Sequence, residues 1–226
     1  MKDKFIHSAI FIIVVLFLSS CATNQYHTAK TLKKGEKQFV IAGDSYLRPI
    51  AHSIKNGKQS EALLFSLPLG PSLEYNWGTR KKVDFTVGLS TGGQVSFALK
   101  NMIYGNEDSK FSMSLIYKVG VATIPNYTSD GQQLWANLPF VFTYEFNKSN
   151  SLTISTGVIL SLPGWNFGSN NQPEFQRAFL NTSIAYHFGK KNRFFMAYSF
   201  MNVKTDLGNW ANQASMGYII KFGKPK

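Results

Sequence analysis

The sequence holds a single cysteine, Cys21, so no intramolecular disulfide is available to staple the fold. Stability has to come from backbone pairing and packing. Acidic side chains are scarce as well: 12 Asp and Glu face 24 Lys and Arg, for a formal net charge of +12. A cationic excess of that size raises nucleic acid or anionic lipid as a partner. The basic residues, however, fall in ones and twos through turn-like stretches, with no basic helix and no nucleic-acid motif, so nucleic acid is set aside. Also absent is any apolar run long enough for a transmembrane helix, since the longest, Phe5 to Leu18, falls short of the roughly 20 residues that a span requires. No cysteine or histidine pair stands at metal-ligand spacing, and neither Gly92-Gly93 nor Gly164 sits in the strand-loop-helix setting of a phosphate loop. Neither a metal nor a cofactor is expected.

What the sequence has in excess is aromatic. Nineteen Phe, 10 Tyr and 4 Trp bring the aromatic share to 15%, which suits strands with one face in lipid. The first 20 residues have the layout of a secretory signal peptide: Lys2 and Lys4 in a basic start, the apolar run, then the small residues Ser19 and Ser20. Leu18-Ser19-Ser20-Cys21 resembles the lipobox of bacterial lipoproteins, a leucine three residues before the cysteine with small residues between. That resemblance implies cleavage before Cys21 by the lipoprotein-processing machinery, acylation of the Cys21 thiol and a lipid anchor at that residue. Residues 1–20 then form a leader, the polar and weakly patterned residues 21–36 a flexible lipidated tether, and residues 37–226 the domain.

Beyond the tether the period is two. Phe111, Met113, Leu115, Tyr117, Val119 and Val121 alternate with Ser112, Ser114, Ile116, Lys118, Gly120 and Ala122, an apolar row on one face and mostly small or polar groups on the other. Ten such runs follow one another, at about 37–46, 62–77, 82–91, 93–104, 110–122, 135–146, 151–161, 176–188, 193–203 and 213–222. The connections after the second, fourth, sixth and eighth are short: Gly78-Thr79-Arg80-Lys81, Gly105 to Ser109, Asn147 to Asn150 and Gly189 to Asn192. Those after the first, fifth, seventh and ninth are longer.

An even number of strands with short turns at one end and longer loops at the other resembles the bacterial outer-membrane β-barrels. The expected fold is all-β, a closed antiparallel up-and-down transmembrane barrel of about ten strands. Eight is the alternative, because Pro68 and Pro71 in the second run and Pro139 in the sixth remove ladder donors and mark a second strand that breaks. A soluble β-sandwich or lipocalin-like barrel is the structural rival. The resemblance further implies that both chain ends lie with the short turns on the periplasmic side, and that Tyr218 to Phe222 serves as the signal for the barrel-insertion machinery. The residues after Phe222, Gly223 to Lys226, depart from that signal, which ordinarily ends on its aromatic residue.

The alternation sends Glu74, Asp84, Lys100, Lys118, Glu145, Arg177, His187 and Lys221 to the interior as a lumen charge network. Trp77, Tyr104, Trp135, Tyr144, Tyr186 and Trp210 fall near strand ends, where interfacial girdles form. No catalytic residues are assigned: His187 is the one histidine in a strand, with Ser183, Ser199 and Asn202 as polar neighbours, and it points inward, away from lipid substrates. The function expected is a non-enzymatic outer-membrane lipoprotein with a structural or surface-interaction role, partnered by outer-membrane lipid. A narrow pore or binding barrel for small anionic or polar solutes is one alternative, and a lipid-modifying enzyme another. The loops at 123–134 and 162–175, with Tyr127, Trp165, Phe167 and Phe175, are the places for a surface ligand.

Overall fold

A computed structural model describes residues 26–49, 53–55, 58–60, 63–90, 94–123, 132–162, 178–205 and 208–224. They form twelve strands: β1 (Lys37–Pro49), β2 (Ser53–Lys55), β3 (Lys58–Ser60), β4 (Leu63–Arg80), β5 (Val83–Ser90), β6 (Gln94–Tyr104), β7 (Phe111–Thr123), β8 (Gln132–Asn147), β9 (Asn150–Leu162), β10 (Ala178–Phe188), β11 (Arg193–Thr205) and β12 (Gly208–Phe222). The short β2 and β3 pair only with each other. The remaining ten make one closed antiparallel barrel in chain order, and β1 shuts the ring by pairing with both β4 and β12. Lys37 stands opposite Trp77 on one side and Phe222 on the other. Closure leaves no sheet edge with unpaired N–H and C=O groups.

The ten-stranded form is the one adopted, not the eight-stranded one. Residues 63–80 run as a single strand because the ladder absorbs the prolines locally. Gly43 faces Pro71 and Asp44 faces Gly70, but the next pair is Tyr46 with Ser66, so β4 spends two more residues than β1 across Pro68. Such a bulge is where a strand tolerates proline. At Pro139 the β7–β8 ladder skips between Leu115–Phe140 and Lys118–Asn137 without changing register. The first short turn is tighter than expected, only Lys81 and Lys82, with Lys82 at φ 66°. A left-handed conformation costs a side chain other than glycine roughly 1–2 kcal/mol.

Alternation sorts the two faces. On β7 Phe111, Tyr117 and Val119 are 43%, 48% and 54% exposed, whereas Ser112, Ser114, Ile116 and Lys118 are buried at 0%, 0%, 3% and 8%. The same exterior of Leu, Ile, Val, Phe and Tyr encircles the ring on Leu99, Phe140, Ile154, Ile184 and Tyr218. At the short-turn end it finishes in paired aromatic rings: Trp77 with Phe85 at 4.5 Å, Tyr104 with Phe111 at 5.9 Å, Tyr144 with Phe146 at 5.3 Å and Phe188 with Phe194 at 4.8 Å. Trp77, Tyr104, Tyr144 and Tyr186 thus stand on the outer face near the short turns. Trp135 does not, for it shares the inward phase of Asn137, Val141 and Thr143, and its ring lies over Gly120. A Cβ at Gly120 would collide with that ring. The side chain of Trp210 and residues 124–131 and 163–177, which hold Tyr127, Trp165, Phe167 and Phe175, lie outside the described residues.

Candidate functional site in the barrel lumen

Ahead of β1 the chain does not leave the barrel. Gly35 N donates to Gly78 O and Gly78 N donates to Glu36 O, both at 3.0 Å, which fastens the segment to the short-turn rim of β4. Position 78 has to be glycine, since a Cβ would strike the carbonyl oxygen of Lys33. Residues 32 to 26 then run inside the ring, and the wall satisfies their backbone. Leu32 N donates to Asp84 Oδ1 and Ala29 N to Thr143 Oγ1, each at 2.8 Å. Lys100 Nζ donates to the carbonyls of Lys30 at 2.7 Å and Thr28 at 3.3 Å, and His187 Nε2 donates to that of Tyr26 at 3.0 Å. A chain that forms no ladder would otherwise bury unpaired peptide groups.

Side chains of the segment complete the charge pattern of the wall. His27 Nε2 lies 2.5 Å from Glu74 Oε2, while Lys118 Nζ donates to Glu74 Oε1 at 2.8 Å. Lys30 Nζ pairs with Glu145 Oε2 at 2.6 Å, and Arg193 reaches Glu145 Oε1 at 3.4 Å. Lys100 also stands 2.9 Å from Asp84 Oδ2. Tyr26 donates its hydroxyl to Asp44 Oδ2 at 2.6 Å, beside Ser72 at 2.5 Å, and Ser215 donates to Oδ1. Nearer the rim, Lys33 pairs with Glu107 at 2.7 Å, and that carboxylate raises the pKa of the Lys33 ammonium.

Packing matches the polar contacts. The interior is not uniformly polar: Val40, Ala42, Ala185, Phe195, Ala197 and Ile219 point inward and form a cup that holds the Tyr26 ring, 5.3 Å from that of Phe195. Ala98, Ile116 and Val141 form a second, smaller recess filled by Ala29. Apolar groups in a water-filled lumen would forfeit about 25 cal/mol per Å² of exposed surface. Covered by the segment, they form a core. Residues 26–36 therefore are a docked segment, with 26–32 plugging the lumen and 33–36 fastened at its rim, and not the flexible tether expected of them. The polar side chains of His27 and Lys30 pair with the wall instead of with solvent.

Of the sequence-predicted interior residues, the structure brings Glu74, Asp84, Lys100, Lys118, Glu145 and His187 together around this segment, on six different strands. Lys221 sits half-buried on β12 close to the rim and makes no ion pair among the described residues. Arg177 and Cys21 lie outside the described residues. Ser183 bonds Ser155 at 2.6 Å rather than His187, whose ring is committed to the Tyr26 carbonyl. Sequence reasoning missed Asp44, Arg193, Trp135 and the whole of Tyr26, His27 and Lys30. Asp44 was legible from its phase with Val40 and Ala42, and Arg193 from its phase with Phe195 and Ala197. For the segment no periodic signal exists, because it is neither strand nor helix.

No family profile matches the chain and no curated protein sequence does either. Among solved structures, the attachment invasion locus protein Ail of Yersinia pestis is 12% identical, with 84% of this chain and 99% of that chain covered and a TM-score of 0.40. OprG of Pseudomonas aeruginosa is 13% identical over 88% of this chain and 100% of that chain, at 0.35. The outer membrane channel DcaP of Acinetobacter baumannii is 11% identical over 91% of this chain and 69% of that chain, at 0.37. At such identities and TM-scores the likeness carries no functional argument.

Proposed function

We propose that the chain is a non-enzymatic outer-membrane β-barrel lipoprotein, acylated at Cys21, whose lumen is closed by its own residues 26–36 and whose role is structural or surface-interacting. The apolar exterior supports the membrane setting. A ring of exposed Leu, Ile, Val, Phe and Tyr bounded by paired aromatics suits hydrocarbon bounded by an interface. Lipid anchoring rests on Leu18-Ser19-Ser20-Cys21, and the periplasmic assignment of the short-turn end, where Lys37 and Phe222 meet, rests on the outer-membrane resemblance.

The observation that carries the functional reading is the plug. Its backbone and side chains occupy Glu74, Asp84, Lys100, Glu145 and His187, and Lys118 is taken up by Glu74, so the groups that a pore would offer to solute are already engaged. Planar-bilayer recording tests it. The full chain should give no reproducible conductance steps, and a chain lacking residues 22–36 should give them. Steady conductance from the full chain would establish the pore reading instead. The anchor has its own test: Cys21→Ala should abolish palmitate incorporation yet leave the protein in the outer-membrane fraction. Recovery of that variant as soluble periplasmic protein would instead mark a tethered soluble domain.

A further inference from the structure

The short-turn end of the barrel is strongly cationic. Exposed lysines occupy all four of its turns, with Lys81 between β4 and β5, Lys110 between β6 and β7, Lys148 between β8 and β9, and Lys190 and Lys191 between β10 and β11. Exposed acids there are confined to the β6–β7 turn, as Glu107 and Asp108, and Glu107 is already held by Lys33 at 2.7 Å. Among the described residues that is the only ion pair between exposed side chains at this rim, so the other ammonium groups face outward without a protein counter-ion. The β4–β5 turn keeps its charge against its backbone preference. A two-residue hairpin turn favours Asn-Gly, yet here Lys82 takes the left-handed conformation.

These cations do not stand alone. The aromatic pairs Trp77–Phe85, Tyr144–Phe146 and Phe188–Phe194 lie on the adjoining strand ends, and such rings settle at headgroup level. Lysines one turn beyond that belt are placed among the phosphates.

We propose that this collar binds the headgroups of anionic phospholipids in the leaflet that meets the short turns. The inference rests on the membrane-barrel reading above and adds to it the class of lipid and the arc that holds it. A phosphodiester accepts hydrogen bonds from lysine, and each basic residue near an anionic surface adds attraction that salt screens. With Glu107 and Asp108 on the β6–β7 turn, the attractive arc runs from β8 through β12 and β1 to β5.

The test uses the full chain reconstituted in nanodiscs of phosphatidylcholine with a minor fraction of phosphatidylglycerol, then extracted mildly and weighed with its bound lipid by native mass spectrometry. Phosphatidylglycerol should be retained several-fold above its bulk share. A combined Lys81→Gln, Lys148→Gln, Lys190→Gln and Lys191→Gln variant should fall to the bulk share while it still inserts, and the corresponding four Lys→Arg changes should keep the enrichment. Bulk-level lipid on the unaltered chain, or full enrichment on the glutamine variant, overturns the proposal. Failure of the chain to enter the discs at all would overturn the membrane reading with it, whereas insertion without enrichment defeats the collar alone.

Discussion

His27 and Glu74, 47 residues apart in the chain, meet at 2.5 Å inside the barrel, and the Lys118 ammonium holds the other oxygen of the same carboxylate at 2.8 Å. One carboxylate on β4 thereby ties the lumen segment to β7. Removing one member of a buried pair leaves an uncompensated charge, which costs about 3–5 kcal/mol. Glu74→Gln should therefore lower the denaturant midpoint of the barrel, and Glu74→Gln with Lys118→Gln should recover part of the loss. A midpoint unchanged in the single variant would show that the pair does not hold the segment.

Tyr26 supplies two separable contacts, a ring in the apolar cup and a hydroxyl on Asp44. Tyr26→Ala removes both, a loss of about 3–5 kcal/mol by analogy with large-to-small aromatic substitutions. Tyr26→Phe keeps the ring and leaves Asp44 with Ser72 and Ser215, at a cost of about 1–2 kcal/mol. Hydrogen exchange at the Ala29 and Leu32 amides, which donate to Thr143 and Asp84, reads the docking directly. Exchange should quicken in the order wild type, Tyr26→Phe, Tyr26→Ala; equal rates would mean the cup does not anchor the segment.

Gly120 is glycine because the Trp135 ring lies against it. Gly120→Val forces that indole to another rotamer or moves β8, and overpacking of this kind costs about 1–3 kcal/mol. Tryptophan emission should shift and stability fall together. A stable Gly120→Val variant with unaltered emission would show that Trp135 does not depend on that recess.

Ile184 is exposed at mid-strand on β10. In water Ile184→Lys would change stability by no more than about 0.5 kcal/mol, as surface substitutions do. Facing hydrocarbon near the midplane, it should cost about 2–4 kcal/mol. Urea unfolding of the reconstituted protein distinguishes the two, and a neutral result would speak for a soluble barrel.

Sequence alone carried most of the barrel. A strict period of two leaves little freedom: once Phe111 faces out, Ser112, Ser114 and Lys118 must face in, and β7 obeys. Pro68 leaves eight strands open as an alternative to ten because a local bulge opposite Asp44 and Tyr46 decides whether a strand survives its proline, and bulges have no one-residue signature. Trp135 lies near a strand end, which suggests a girdle, but its phase with Asn137 turns it inward. The site was half legible. Its walls repeat and its occupant does not: Tyr26, His27 and Lys30 read as an ordinary polar linker, and only the three-dimensional arrangement of Asp44, Glu74 and Glu145 gives each of them a place.

The seam between β1 and β12 joins Lys37 to Phe222, the first and last barrel residues of the chain. That pairing cannot form until the final strand has been delivered, and the segment directly ahead of β1 is already committed to the space the seam encloses. A nascent barrel must therefore tuck residues 26–36 inward before or while it zips shut, or else thread the polar side chains of His27 and Lys30 into a closed cylinder afterwards. The first order of events desolvates those groups only as their partners arrive. Closure and plugging are in that case a single step, so sequence changes that weaken the segment should slow assembly as well as open the finished lumen.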